Sequence, residues 1–344
     1  MSRGYRPRTS ARPSFRRVEP APGPPAPGRR LPRAVRPLPE GPFRVPISTI
    51  DWLVSRESPA ARVVALRDLL GRPAKDIELR KAKQALARDP FVRDVLALLR
   101  SRLAPGPRTV PLEHKYDGGA WLALFLGEMG GDTTLPALRH AGDVLFARWE
   151  KALVAVERHG ELPRDVPDFV TACRALALLG HGGDPRLLHV ADALARRAVE
   201  GRGETAKELL FFAALPEAKR PETVRPAIAF LVARAEDAEL PGPAAVSPPR
   251  TFLAAGFPTG ETTDYLELLY ALAGVDARRR PGLEKALAFL ASRADHRARW
   301  RLERALPEKL PVALEREGEL SRWVTIRALV VLQHFVGLSI EGVK

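Results

Sequence analysis

The feature that most constrains this chain is a repeated pattern of helix punctuation. Five segments carry a Leu-rich helix end, a turn containing Gly or Pro, and a second helix closing on Ala, Leu and Arg. The first runs Ala65–Gly71 and then Glu78–Arg88, and the second Leu122–Gly130 and then Leu135–Arg148. The third is Ala175–Gly180, followed by Asp184-Pro185 and a helix ending near Arg197. Glu208–Leu215 with Pro221–Arg234, and Glu267–Gly274 with Pro281–Arg293, complete the set. Apolar residues three or four apart, as in Leu188, Ala191, Leu194 and Ala195, give each second helix one face to bury. Proline near a helix start lacks only an N–H that would be unpaired anyway, as at Pro185, Pro221 and Pro281. Glycine at Gly71, Gly130, Gly180 and Gly274 suits a left-handed C-cap.

The pattern predicts an all-α body of repeated helix hairpins, with the ends either closed into a ring or left open as a HEAT-like solenoid. Composition agrees: 45% of the chain is hydrophobic and only 6% aromatic, so the apolar content is mostly Leu, Ala and Val. Leu and Ala favour helix. No window alternates with β-branched residues, so no sheet is expected. Glu239–Thr262, with Pro241, Pro243, Pro248, Pro249 and Pro258, reads as a long connection.

The formal charge of +14 is concentrated at one end. Residues 1–45 hold eleven arginines against Glu19 and Glu40, and repeat Arg, Pro, Ala and Gly without apolar periodicity. They are expected to form a disordered tail, with the helical domain over 46–344. Nucleic acid or an acidic surface is a possible partner of that tail alone, and a solvated leader is the simpler reading. A single cysteine, Cys173, excludes an internal disulfide and a thiolate zinc cluster, and points to a reducing, cytoplasmic setting. The apolar runs are too short for a membrane span, and no apolar segment follows the N-terminal arginines as a secretory signal requires.

Several strings resemble one another's counterparts in a known family: Asp51-Trp52-Leu53 with Pro59; Leu66-Arg67-Asp68-Leu69-Leu70; Lys115-Tyr116 with Trp121; Gly256-Phe257-Pro258 leading to Asp264 and Leu266-Glu267-Leu268-Leu269; Trp300 with Leu302-Glu303; and Ser321-Arg322-Trp323 through Leu329. In order and separation, over about residues 47–336, they resemble a group of uncharacterised prokaryotic proteins in the terpenoid cyclase and protein prenyltransferase superfamily. The resemblance implies an α/α toroid with a central cavity, and no particular reaction. The sequence departs from the superfamily's enzymes at Ala298, where glycine is usual before the repeat-ending Trp.

The chain has no adjacent Asp-Asp pair, as diphosphate-ionising or protonating cyclases use, and no cysteine just after Asp264, as the zinc site of prenyltransferases requires. Neither a Gly-x-Ser-x-Gly elbow nor a Gly-rich phosphate loop occurs. Asp132-Thr133-Thr134 reads as a helix cap, and the seven histidines as surface or loop residues. The expectation is therefore binding rather than catalysis, with no metal and no cofactor. The partner would be an apolar or anionic ligand in a central cavity, or a protein. Candidate binding residues are Trp52, Lys115, Tyr116, Trp121, Trp300, Arg322, Trp323 and Arg327, in which Lys and Arg grip an anionic head and aromatics face an apolar tail. Trp and Tyr also serve as core pillars in helical rings. Two alternatives stand beside this reading: an enzyme on an isoprenoid-like substrate, with Asp264 or Glu267 as its acid, and an interaction scaffold.

Overall fold

Short polar side chains start many of the helices by taking up amide hydrogens that have no carbonyl partner in the first turn. Asp76 accepts from Glu78 and Leu79 at the head of α3 (Ile77–Leu86), and Asp89 from Phe91 and Val92 at α4 (Pro90–Leu103). Asp184 accepts from Arg186 at α8 (Pro185–Val199), Asp264 from Glu267 at α11 (Tyr265–Gly274), and Ser321 from Val324 at α13 (Arg322–Phe335). The remaining helices are α1 (Ile47–Leu53), α2 (Pro59–Val64), α5 (Gly119–Glu128), α6 (Pro136–His159), α7 (Val166–Leu176), α9 (Thr205–Ala214), α10 (Val224–Arg234) and α12 (Glu284–Ser292). Two strands, β1 (Phe43–Pro46) and β2 (Leu338–Glu341), flank the set. This computed structural model describes residues 38, 40–104, 110–236, 251–258, 260–279, 281–306 and 314–342. The leader up to residue 37, most of the Glu239–Thr262 connection and residues 105–109 lie outside the described residues.

The helices sort into two series by burial. α5 buries every one of its residues, and α11 and α13 bury most of theirs, whereas α6 and α8 keep a polar face in water. α5, α7, α9, α11 and α13 pack each against the next, and α13 packs against α2. Where the chain leaves α5, Gly130 sits against Val63 of α2, so the series of contacts returns to its start. Outside it, α4 packs on α6, α6 on α8 and α8 on α10. The ends meet directly as well: β1 pairs in parallel with β2, from Phe43 opposite Leu338 to Pro46 opposite Glu341. Phe43 rests on the buried Trp300, with ring centroids 5.9 Å apart.

Four expectations are corrected here. A sheet was not expected, yet the two four-residue strands form one; segments so short carry too little alternation to be seen in sequence. Because β1 begins at Phe43, the ordered body starts inside the stretch assigned to the tail. The caps at Gly71, Gly130 and Gly180 are left-handed as expected, but Gly274 is absent from the positive-φ residues and Asp276, with φ 56, makes that turn instead. A Cβ on Gly274 would stand 3.0 Å from the Cβ of Ala213, so the glycine there lets α11 approach α9. Asp132 does not cap α6; it receives the Thr134 amide at 3.0 Å and pairs with Lys83 at 2.8 Å. Two helices end in π-helical turns, Ala65–Leu69 after α2 and Ala177–His181 after α7. Among the described residues, no helix is long and apolar enough to cross a membrane.

Asp89 binds two helix starts together, since its second oxygen reaches the Ala60 amide of α2 at 3.4 Å. Replacing it by Ala leaves buried amides unmet, and Asp89→Ala should lose about 1–3 kcal/mol in urea unfolding, with Asp89→Asn losing less.

Candidate functional site

A cavity of about 540 Å³ opens among the inner helices. Each of them contributes to its wall: Arg67 and Asp68 from the π-helical turn after α2, Glu128 from α5, Arg174 from α7, Leu210 from α9, Tyr270 from α11, and Trp323 and Arg327 from α13. In a regular helix, side chains of consecutive residues diverge. In the wider turn Ala65–Leu69, the Arg67 guanidinium instead forks onto both oxygens of neighbouring Asp68, at 2.5 and 2.8 Å. Burial alone would lower the affinity of Arg67 for its proton; the pairing with Asp68 outweighs burial and holds the group above its ordinary value.

The centre of the cavity is a buried charge cluster. Glu128 Oε1 accepts from Arg174 Nη2 at 2.6 Å and lies 3.3 Å from Arg327 Nη2. All three residues are nearly inaccessible, at 9%, 6% and 5% exposure. Glu128 Oε2, Arg174 Nε and Arg327 Nη1 have no hydrogen-bond partner among the described residues. Burial works against the charge on Arg327, and neighbouring carboxylates, Glu128 first among them, raise its proton affinity above the ordinary value. Burial also pushes the Tyr270 hydroxyl up to about 12, so it stays neutral.

An aromatic wall adjoins this cluster. Trp323 and Phe257 stack face to face, 4.6 Å between centroids and 5° between planes. The Arg327 guanidinium lies 4.5 Å from the Phe257 centroid and 5.1 Å from that of Tyr270. Such contacts are favourable where the cation is desolvated. Asp264 holds Phe257 in place: one oxygen receives the Gly256 amide at 2.9 Å, and the other caps α11 through the Glu267 amide at 2.8 Å.

A second pocket lies at the N-terminal parts of α5, α7 and α9, whereas the central cavity takes their C-terminal parts. Its lining includes Lys115, Trp121, Asp168, Lys207 and Glu208, and Arg174 borders both spaces. Lys207 is committed to Glu267, with both oxygens at 2.8 Å, and to the Gly260 carbonyl. Lys115 grips both oxygens of Glu261 at 2.7 Å.

Of the residues singled out by sequence, Trp323 and Arg327 meet in the central cavity, and Lys115 and Trp121 border the second pocket. Tyr116 packs beside Trp121 with its ring tilted by 49°, the centroids 5.3 Å apart. Trp300 is a core pillar whose indole N–H donates to the Leu290 carbonyl at 2.8 Å. Trp52 lies between Arg299 and Arg322, 5.7 and 5.0 Å from their guanidinium carbons, and neither it nor Arg322 lines the cavity. Asp264 and Glu267 are wholly buried and also stand outside the cavity lining, Asp264 as cap and Glu267 as the partner of Lys207. Burial, then the charge of Glu267, pushes the Asp264 carboxyl up to about 6. Cys173 is buried, and burial pushes its thiol up, away from thiolate chemistry.

Arg67, Asp68, Glu128, Arg174 and Tyr270 were missed as site residues. Glu128 and Arg174 did leave a signal, each being a lone charge in an otherwise apolar helical run, Gly119–Glu128 and Phe169–Leu179. A charge there must be paired or functional. Comparison with models of known families, with curated proteins and with solved structures gave no match.

Glu208 is 2% exposed and pairs with Arg197 at 3.3 Å. Burial raises its carboxyl from 4.5 to about 7 against the pull of Arg197. The folded protein therefore keeps a proton that the unfolded chain has released, and stability falls as pH rises from about 4.5 to 7. Glu208→Gln should remove that part of the pH dependence, on the order of 2 kcal/mol between the two ends. Urea unfolding across this range measures it.

Proposed function

We propose that the protein binds a small organic molecule in its central cavity, against the Phe257–Trp323 wall, and that its helices form an α/α toroid. The observation that carries the reading is a space of about 540 Å³ walled by all the inner helices, with a stacked aromatic pair on one side and a buried charge cluster on the other. Ligand pockets have this size and this mixture of apolar wall and few polar groups. The returning series of helix contacts and the pairing of β1 with β2 favour a closed ring over an open scaffold, whose ends would stand apart. Together with the sequence strings, they support placing the chain in the terpenoid cyclase and protein prenyltransferase superfamily. The carboxylates named as candidate acids are engaged in capping and pairing, which favours binding over catalysis. A cytoplasmic setting fits the single reduced cysteine.

The test uses a neutral fluorescent probe, N-phenyl-1-naphthylamine, titrated into the full chain. Saturable binding is expected. Val330→Trp places an indole in the cavity lining and should weaken that binding roughly tenfold or more at unchanged thermal stability, whereas Trp52→Ala, outside the lining, should leave it unaltered. Equal binding by the parent and Val330→Trp would contradict the reading.

A further inference from the structure

Three guanidiniums and two carboxylates line the central cavity: Arg67, Arg174 and Arg327 against Asp68 and Glu128. Asp68 is taken up by Arg67 through a two-bond fork. Glu128 is then left to serve both Arg174 and Arg327, and it does so through Oε1 alone, its Oε2 having no partner among the described residues. Each of those arginines keeps a donor with no partner among the described residues, Nε on Arg174 and Nη1 on Arg327. Both residues are more than nine-tenths buried and both line the cavity. A guanidinium is a planar array of five N–H donors that suits paired oxygens, so two of them converging on one oxygen are under-used.

From this cluster we infer that the cavity recognises an oxyanion, a carboxylate or phosphoryl group, on the end of its ligand. The group binds between Arg174 and Arg327, and Glu128 competes with it for the same two guanidiniums. The inference rests on the cavity being the ligand site, and it adds the chemistry of one end of the ligand. Arg327 also fixes where the rest of the molecule goes. Its guanidinium lies over Phe257 and Tyr270, so an oxyanion held there places the adjoining carbon skeleton against the Phe257–Trp323 wall. The ligand class is thus an apolar or aromatic body carrying one terminal oxyanion. Arg67, already forked onto Asp68, has its charge balanced there and makes no direct bond to the ligand.

Because Glu128 is the competitor, its charge sets the affinity. Neutralising it removes both the occupant of Arg174 and Arg327 and the repulsion between two anions in one buried space. Removing either arginine does the opposite. An oxyanion therefore gains from Glu128→Gln and loses from Arg174→Met or Arg327→Met, and an uncharged ligand of the same shape does not follow that pattern.

The experiment is isothermal calorimetry on the full chain in chloride buffer of fixed ionic strength, with 1-naphthoate, 1-naphthyl phosphate and neutral 1-naphthamide as probes. At least one of the two anions should bind roughly tenfold or more tightly than the amide. Whichever anion is favoured names the oxyanion as carboxylate or phosphoryl. Glu128→Gln should widen the ratio of anion to amide affinity, and Arg174→Met should erase it. If Arg174→Met does not fold, Arg327→Lys keeps the charge without the planar fork and should narrow the ratio. Amide binding equal to that of both anions, or a preference untouched by these variants, overturns the oxyanion site while leaving the cavity reading in place. Failure of all three probes to bind overturns both.

Discussion

One carboxylate oxygen shared by two arginines is the constraint around which the inner helices are arranged. Glu128, Arg174 and Arg327 come from α5, α7 and α13, which are separated by long stretches of chain, and all three are buried. Charges cannot be withdrawn from water singly; the cost is tolerable only where opposite charges meet. Once the apolar packing of α5, α7 and α13 draws these groups out of solvent, the three helices must stand so that the groups touch. Breaking the cluster by removing Glu128 would leave two like charges in a low-dielectric space, which is why a helix otherwise built of Gly, Ala, Leu, Trp and Phe carries this one acid.

The same logic separates structural from available polar groups. Lys207 gives its ammonium to both oxygens of Glu267 and to a carbonyl, so its donors are spent. Asp264 caps α11, fixes Gly256 and lies 3.5 Å from Arg304. These groups hold the frame. By contrast, the Glu128 cluster leaves donors over and adjoins the aromatic wall, which is where the chemistry of recognition is concentrated.

Much of the fold was legible because helix starts and stops are local. Asp184-Pro185 marks α8 directly, and Gly130 and Gly180 mark turns that need a left-handed residue. Gly274 misled for a physical reason: a glycine near a helix end can also be required by close helix packing, and sequence does not distinguish the two. The clasp of β1 with β2 was invisible because its partners lie at opposite ends of the body and each is four residues long. The π-helical turn that presents Arg67 and Asp68 leaves no periodic signature either.

The candidate site was legible in part. Trp323 and Arg327, singled out as an aromatic among arginines of one helix, line the cavity; Lys115, singled out beside Tyr116, and Arg322 are held by Glu261 and by Trp52 away from it. Which charges converge depends on how the helices go round, and that is set by packing between distant segments. The most direct measurement is a crystal structure of the full chain grown with 1-naphthoate. The account predicts the naphthalene ring against Phe257 and the carboxylate between Arg174 and Arg327, with Glu128 displaced from at least one of them. A ligand seated elsewhere, with Glu128 still holding both arginines, would contradict it.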